Sequence, residues 1–111
     1  MNVASRKEAD SLIAAVSVLD RAGREGVALR SISARLGLPL DRTEKLLNRH
    51  TDYFVQVGSS GSYTLNRFGK FRGASQLISG DIEKSYKATL SSMYTVGALA
   101  AAVLTSIIVA R

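Results

Sequence analysis

Cysteine is absent from the 111-residue chain, and histidine and proline occur once each, at His50 and Pro39. Without cysteine there are no disulfides, no thiolate metal sites and no cysteine nucleophile, and the redox compartment leaves no mark on the sequence. One histidine has no second imidazole with which to complete a metal site or a catalytic triad, so His50 reads as a helix-end residue near the carboxyl dipole. Carboxylates are scattered singly with Arg or Lys nearby. The glycine-bearing residues 58–61 lack the following lysine and helix that a phosphate-binding loop requires. Tyr53, Phe54, Tyr63, Phe68 and Phe71 read as the packing of a small domain rather than as platforms for stacking bases. No enzyme, no metal and no cofactor is expected.

Charge of one sign is also in short supply: 9 acidic side chains stand against 15 Lys and Arg. Long uncharged stretches are missing too, except one, residues 88–110, where 23 consecutive positions carry no charge before Arg111. The preceding 87 residues hold 14 basic and 9 acidic side chains, a net charge of +5. They suffice for one small domain, which excludes a multi-domain enzyme. A basic head implies a polyanionic partner, either nucleic acid or anionic lipid. Arg6 and Lys7 precede an apolar run over 12–19 in the manner of a signal peptide. Glu8, Asp10 and Asp20 crowd that run, however, and no small-x-small cleavage site follows it, so the reading is rejected.

As a helix the uncharged stretch is about 34 Å long, enough to cross a hydrocarbon core of about 30 Å. Its eight Leu, Ile and Val residues favour insertion by roughly 2 to 5 kcal/mol, before Thr89, Ser91, Ser92, Thr95, Thr105 and Ser106 subtract from it. A buried core or oligomerisation helix is the competing reading. Against it, the 87-residue head offers too little surface to cover a helix that is apolar nearly all round. Arg67, Lys70, Arg72, Lys84 and Lys87 precede the segment and Arg111 alone follows, which places the amino terminus on the cytoplasmic, or genome-facing, side of a single-pass anchor. With one residue beyond the span, insertion after translation is expected, as for a tail-anchored protein. Tyr86 marks the membrane interface, with Lys84 and Lys87 placed to meet anionic headgroups. Gly97 with Ala101, and Ala98 with Ala102, repeat the small-x-x-x-small spacing that lets helices approach closely, so self-association or packing against other membrane helices is expected.

The head divides by hydrophobic period. Leu12, Ile13, Val16 and Leu19 share one face of a first helix over 4–22, ended by Gly23 and Gly26. A short extended piece over 27–29 precedes a two-turn helix over 30–36, capped by Gly37. After the tight turn at Leu38 and Pro39, a third helix over 40–50 turns Leu40, Leu46 and Leu47 inward. Asp41 and Glu44 have the spacing of a capping box, while Pro39 equally suits the first turn. Residues 53–57 and 62–65, rich in β-formers and joined by Gly58-Ser59-Ser60-Gly61, read as a hairpin. The domain is expected over 1–66. Residues 67–80, with Gly69, Gly73 and Gly80 among basic and small side chains, read as a linker with some helix around 74–78. One helix is expected from Asp81 through the span at 88–110, so that 81–111 form a juxtamembrane and transmembrane unit.

The order helix, short strand, helix, turn, helix, hairpin is that of the winged helix-turn-helix. Residues 27–65 resemble the amino-terminal domain of IclR-type bacterial repressors, most clearly at Ile32, Ala34, Leu36-Gly37-Leu38-Pro39, Leu46-Leu47 and Gly61-Ser62-Tyr63-Thr64-Leu65. The expected fold is therefore mainly α with a small β-hairpin wing, a winged helix-turn-helix head carrying a single carboxyl-terminal transmembrane helix. The resemblance implies that the third helix enters the major groove of duplex DNA, with Leu40, Asp41, Arg42, Thr43, Lys45 and Arg49 toward the nucleic acid. Arg42, Lys45 and Arg49, spaced i, i+3, i+7, form one basic stripe, and Arg30 and Arg35 of the second helix add phosphate contacts. Asp41 and Glu44 depart from the family pattern and oppose phosphate, and the wing tip carries no charge. Two functions follow. One is a membrane-anchored protein that tethers or regulates DNA at a bilayer. The other is a structural subunit of a membrane or virion assembly, whose winged helix docks onto protein.

Overall fold

Helix α1 (Arg6–Ala22) begins at a reciprocal cap. The Glu8 amide donates to Ser5 Oγ at 3.1 Å, and the Glu8 carboxylate reaches back to accept from the Ala4 amide at 2.9 Å. The computed structural model describes residues 3–58 and 61–91. Ala9, Leu12, Ala15, Val16 and Leu19 form the buried face of α1, with Ile13 half-buried at its margin. The helix stops at Gly23, whose φ of +68° suits glycine and whose amide donates to the Leu19 carbonyl.

A single 3-10 turn (Gly23–Glu25) leads through Gly26 into strand β1 (Val27–Ala28). Gly26 has φ +80°, and a Cβ there would stand 3.0 Å from the Tyr63 carbonyl oxygen, so both backbone conformation and sheet packing require glycine. Helix α2 (Leu29–Leu36) follows and buries Ile32 and Ser33. Its exit is closed by the Leu38 amide on the Ser33 carbonyl at 3.2 Å and by the Ser33 hydroxyl on the Leu38 carbonyl.

Helix α3 (Leu40–Arg49) starts directly after Pro39, which occupies the N-cap position in extended conformation. The capping box read at Asp41 and Glu44 does not form, because Asp41 already lies inside the first turn, where its charge complements the helix dipole. The Thr43 amide and hydroxyl both donate to the Pro39 carbonyl, at 3.0 and 3.1 Å. The buried face of α3 is thus Thr43 and Leu47, with Leu46 half-buried. Leu40, which the helical period turned inward and the family resemblance turned outward, is 46% exposed, since the inward face begins one turn after the helix does.

Strands β2 (Phe54–Val57) and β3 (Ser62–Leu65) form the hairpin, with Phe54 opposite Leu65 and Val57 opposite Ser62. β3 is central: its other edge pairs antiparallel with β1, Val27 opposite Tyr63. The fold is mainly helical with a small three-stranded antiparallel sheet, an arrangement compatible with a winged helix.

After β3 the chain stays on the head. Asn66 Oδ1 accepts the amides of Phe68 and Gly69, each at 3.0 Å, while Asn66 Nδ2 donates to the Thr51 carbonyl at 2.8 Å. Turns carry the chain to a fourth helix, α4, which begins at residue 75 and continues to 91, the last residue described. The helix therefore starts six residues before Asp81, and Gly80 lies within it. Ile78 and Ile82 are fully buried in the same core as Leu12, Leu19 and Phe54, with Tyr86 packed against that core. Polar ties reinforce the contact. The Tyr53 hydroxyl donates to Asp81, and Arg6 donates to both Glu83 oxygens, at 2.6 and 3.1 Å. The last part of the stretch read as a linker is consequently a packed helix.

Candidate nucleic-acid interface

Burying Thr43 and Leu47 turns the opposite side of α3 to solvent, and Arg42, Lys45 and Arg49 are all exposed there. The hairpin is fixed beside this helix by the Tyr63 hydroxyl, which donates to Asn48 Oδ1 at 2.9 Å; burial, first, raises the Tyr63 phenol above its ordinary range. The basic stripe expected from sequence thus exists as one side-chain row. Thr43 does not belong to it. It is fully buried with its hydroxyl committed to Pro39, because its position in the helical period falls on the core side.

The stripe also forms one wall of a groove of about 560 Å³, whose other wall is the first turn and a half of α1. Lys7 stands on that second wall with Ser5, Glu8 and Ser11, and Leu38 and Leu46 contribute apolar surface. Lys7, Arg42 and Lys45 make no ion pair among the described residues, while Arg49 Nη1 lies 3.5 Å from Glu8 Oε1.

Glu8 joins the groove to the interior. Its Oε1 is 3.1 Å from Nε2 of His50, a fully buried residue that ends α3 and stacks on Tyr53 with ring centroids 5.6 Å apart. Burial pushes the Glu8 carboxyl up. The Ala4 amide, His50 and Arg49 together outweigh burial and hold it below its usual value. His50 Nδ1 is buried without a hydrogen-bond partner. The helix-end position inferred for His50 holds, but its side chain points into the core and not along the surface.

The remaining sequence candidates are placed elsewhere. Arg35 lines a different cleft, with Arg21 of α1 and Ser31 of α2, and Arg30 is exposed but lines neither cleft. Lys84 and Lys87 are exposed on α4. Tyr86, expected at a membrane interface, is half-buried against the core with the Arg6 guanidinium 5.0 Å from its ring centre, because the head occupies that side of the helix. Gly97, Ala98, Ala101 and Ala102, and all but the first four residues of the span at 88–110, lie outside the described residues. Among the described residues no helix is long and apolar enough to cross a membrane, and no group of three or more His, Asp or Glu is arranged to hold a metal ion.

No match was found. That holds for protein-family models, for curated proteins and for solved structures alike.

Two site features escaped the sequence reading. Lys7 is brought to the groove by the way α1 and α3 meet, which no local pattern encodes. Ser5-x-x-Glu8 is itself a capping-box spacing, and it was the available signal that Lys7 sits in a first helical turn. The other is apolar and corrects a sequence expectation: Phe68, read as packing of the small domain, is instead 94% exposed, and Leu77 in the first turn of α4 is 60% exposed.

Proposed function

We propose that this chain is a membrane-anchored winged-helix protein, whose head holds duplex DNA at a bilayer chiefly through phosphate contacts. The observation that carries the reading is the exposed row of Arg42, Lys45 and Arg49 on the outer side of α3, with Thr43 and Leu47 buried behind it. Such a row supplies sequence-independent affinity by releasing counterions from the duplex. It sits on the helix that the resemblance to IclR-type repressors assigns to the major groove. Asp41 and Glu44, also exposed on α3, limit how closely the helix approaches phosphate and favour contact by the long basic side chains. The anchor is supported by the uncharged residues 88–110, toward which α4 carries the chain.

The test is duplex binding by the full chain in zwitterionic detergent, compared with the double variant Arg42→Ala, Lys45→Ala. Wild type binds at about 50 mM salt, and the double variant reduces the slope of log affinity against log salt by about two. Absence of wild-type binding at about 50 mM salt refutes the reading.

A second reading, a structural subunit of a membrane or virion assembly whose winged helix docks onto protein, is favoured by Phe68, Leu77 and Leu40, large apolar side chains held in solvent. Isolation in a stoichiometric complex, released by Phe68→Ser with Leu77→Ser, supports that reading. Recovery as a free monomer counts against it.

A further inference from the structure

The groove between α1 and α3 is cationic on both walls, and only one wall belongs to the helix read as the recognition element. Arg42, Lys45 and Arg49 line the α3 side and Lys7 the α1 side. The single acid present, Glu8, is turned inward and 11% exposed. One of its oxygens accepts from the Ala4 amide at 2.9 Å, and the other serves His50 at 3.1 Å, with Arg49 at 3.5 Å. A ligand entering the groove therefore meets four cations and one carboxylate whose hydrogen-bonding capacity is largely committed to the protein.

The shape narrows the class of ligand. No aromatic ring lines the groove, and its apolar surface comes from Leu38 and Leu46, so a stacked base finds no platform there. An anionic backbone fits better. From Arg42 to Arg49 the stripe runs about 10 Å along the helix axis, long enough to meet more than one phosphate of a strand laid along it. The positive end of the α1 dipole lies at the same wall, in the turn capped by Ser5.

We propose that this groove seats one sugar-phosphate strand of the duplex, with Lys7 of the first helix closing on it from the side opposite Arg42, Lys45 and Arg49. Lys7 takes the phosphate-clamping role that sequence assigned to Arg30 and Arg35 of the second helix. Arg35 is directed to a separate cleft beside Arg21, and Arg30 lines neither. The inference rests on the DNA-binding reading above, and it adds a residue and a direction to it: the backbone passes between α1 and α3, not over α2. Lys7 is exposed and makes no ion pair among the described residues, so its removal leaves the fold intact.

The experiment measures fluorescence anisotropy of a labelled duplex of about 25 base pairs, with the full chain in zwitterionic detergent, between about 50 and about 200 mM salt. Wild type is compared with Lys7→Ala and with the double variant Arg30→Ala, Arg35→Ala, each checked by near-ultraviolet circular dichroism for native tyrosine packing. Lys7→Ala is expected to lower the salt slope by about one, which makes the loss of affinity across that range about 3.5-fold smaller than for wild type. The double variant is expected to keep the wild-type slope. If wild type binds and Lys7→Ala retains its slope, or if the double variant loses about two units of slope, the groove assignment is overturned while DNA binding stands. If wild type itself does not bind, both fall.

Discussion

Truncating Ile82 to alanine distinguishes a head that ends at the hairpin from one that includes α4. Ile82 is fully buried, within the cluster that also holds Leu12, Leu19 and Phe54. The substitution removes three carbons. At about 0.8 kcal/mol per buried methylene that is about 2.4 kcal/mol of transfer free energy. The residual cavity adds to this, so a loss of about 3 kcal/mol is expected, within the usual range for Ile→Ala in a core. Leu77, five residues earlier on the same helix and 60% exposed, provides the control, with an expected change below about 0.5 kcal/mol for Leu77→Ala. The assay is urea unfolding of the full chain in zwitterionic detergent, followed by near-ultraviolet circular dichroism of the buried tyrosines Tyr53 and Tyr63. With a slope of about 1.5 kcal/mol/M, Ile82→Ala lowers the midpoint by about 2 M. If Ile82→Ala and Leu77→Ala shift the midpoint equally little, α4 is a tether and its packing against the head is refuted.

Two glycines are expected to respond in opposite directions to alanine. At Gly26 the positive φ and the 3.0 Å approach to the Tyr63 carbonyl make Gly26→Ala destabilising by about 2 kcal/mol or more. Gly80 lies inside a helix with nothing within 4 Å of an added Cβ, so Gly80→Ala raises stability by about 0.5 to 1 kcal/mol. Thermal melts of the two variants check both signs. Glu8 makes the head acid-sensitive. Its carboxyl is held lower in the folded than in the unfolded chain, so its stabilisation is present above the ordinary carboxylate range and is lost as pH falls through the lowered folded value. Glu8→Gln should therefore melt below wild type near pH 7 and approach it in acid. A gap that stays constant with pH removes the carboxylate from the explanation.

Local patterns carried most of the head. Leu12, Val16 and Leu19 announced α1, Gly37 marked the end of α2, and residues 58–61 marked the hairpin, because each depends on side-chain period or on a backbone conformation that suits glycine. The onset of α4 was harder to see. Gly69, Gly73 and Gly80 read as breakers, yet Gly80 is tolerated in mid-helix where packing of Ile78, Ile82 and Tyr86 holds the turn. Those three residues, at i, i+4 and i+8, were a legible stripe. Its meaning, a face against the head and not against lipid, depended on the distant partners Tyr53 and Arg6. The basic stripe is legible for the same reason as the helices, and Thr43 is the position where family resemblance and helical period disagree: it shares the inward-facing side of α3 with Leu47. Glu8 and His50 lie 42 residues apart, and tertiary packing alone joins them and sets Lys7 opposite the α3 stripe in one groove.

Flotation of the full chain with phosphatidylcholine vesicles and labelled duplex DNA puts the anchor and the nucleic-acid interface into one measurement. The account predicts that protein and duplex rise together with the vesicles at about 50 mM salt, and that the duplex alone is left behind at about 500 mM, where the phosphate contacts are screened. Protein that remains at the bottom of the gradient contradicts the anchor, and protein that floats without duplex at about 50 mM salt contradicts the DNA-binding head.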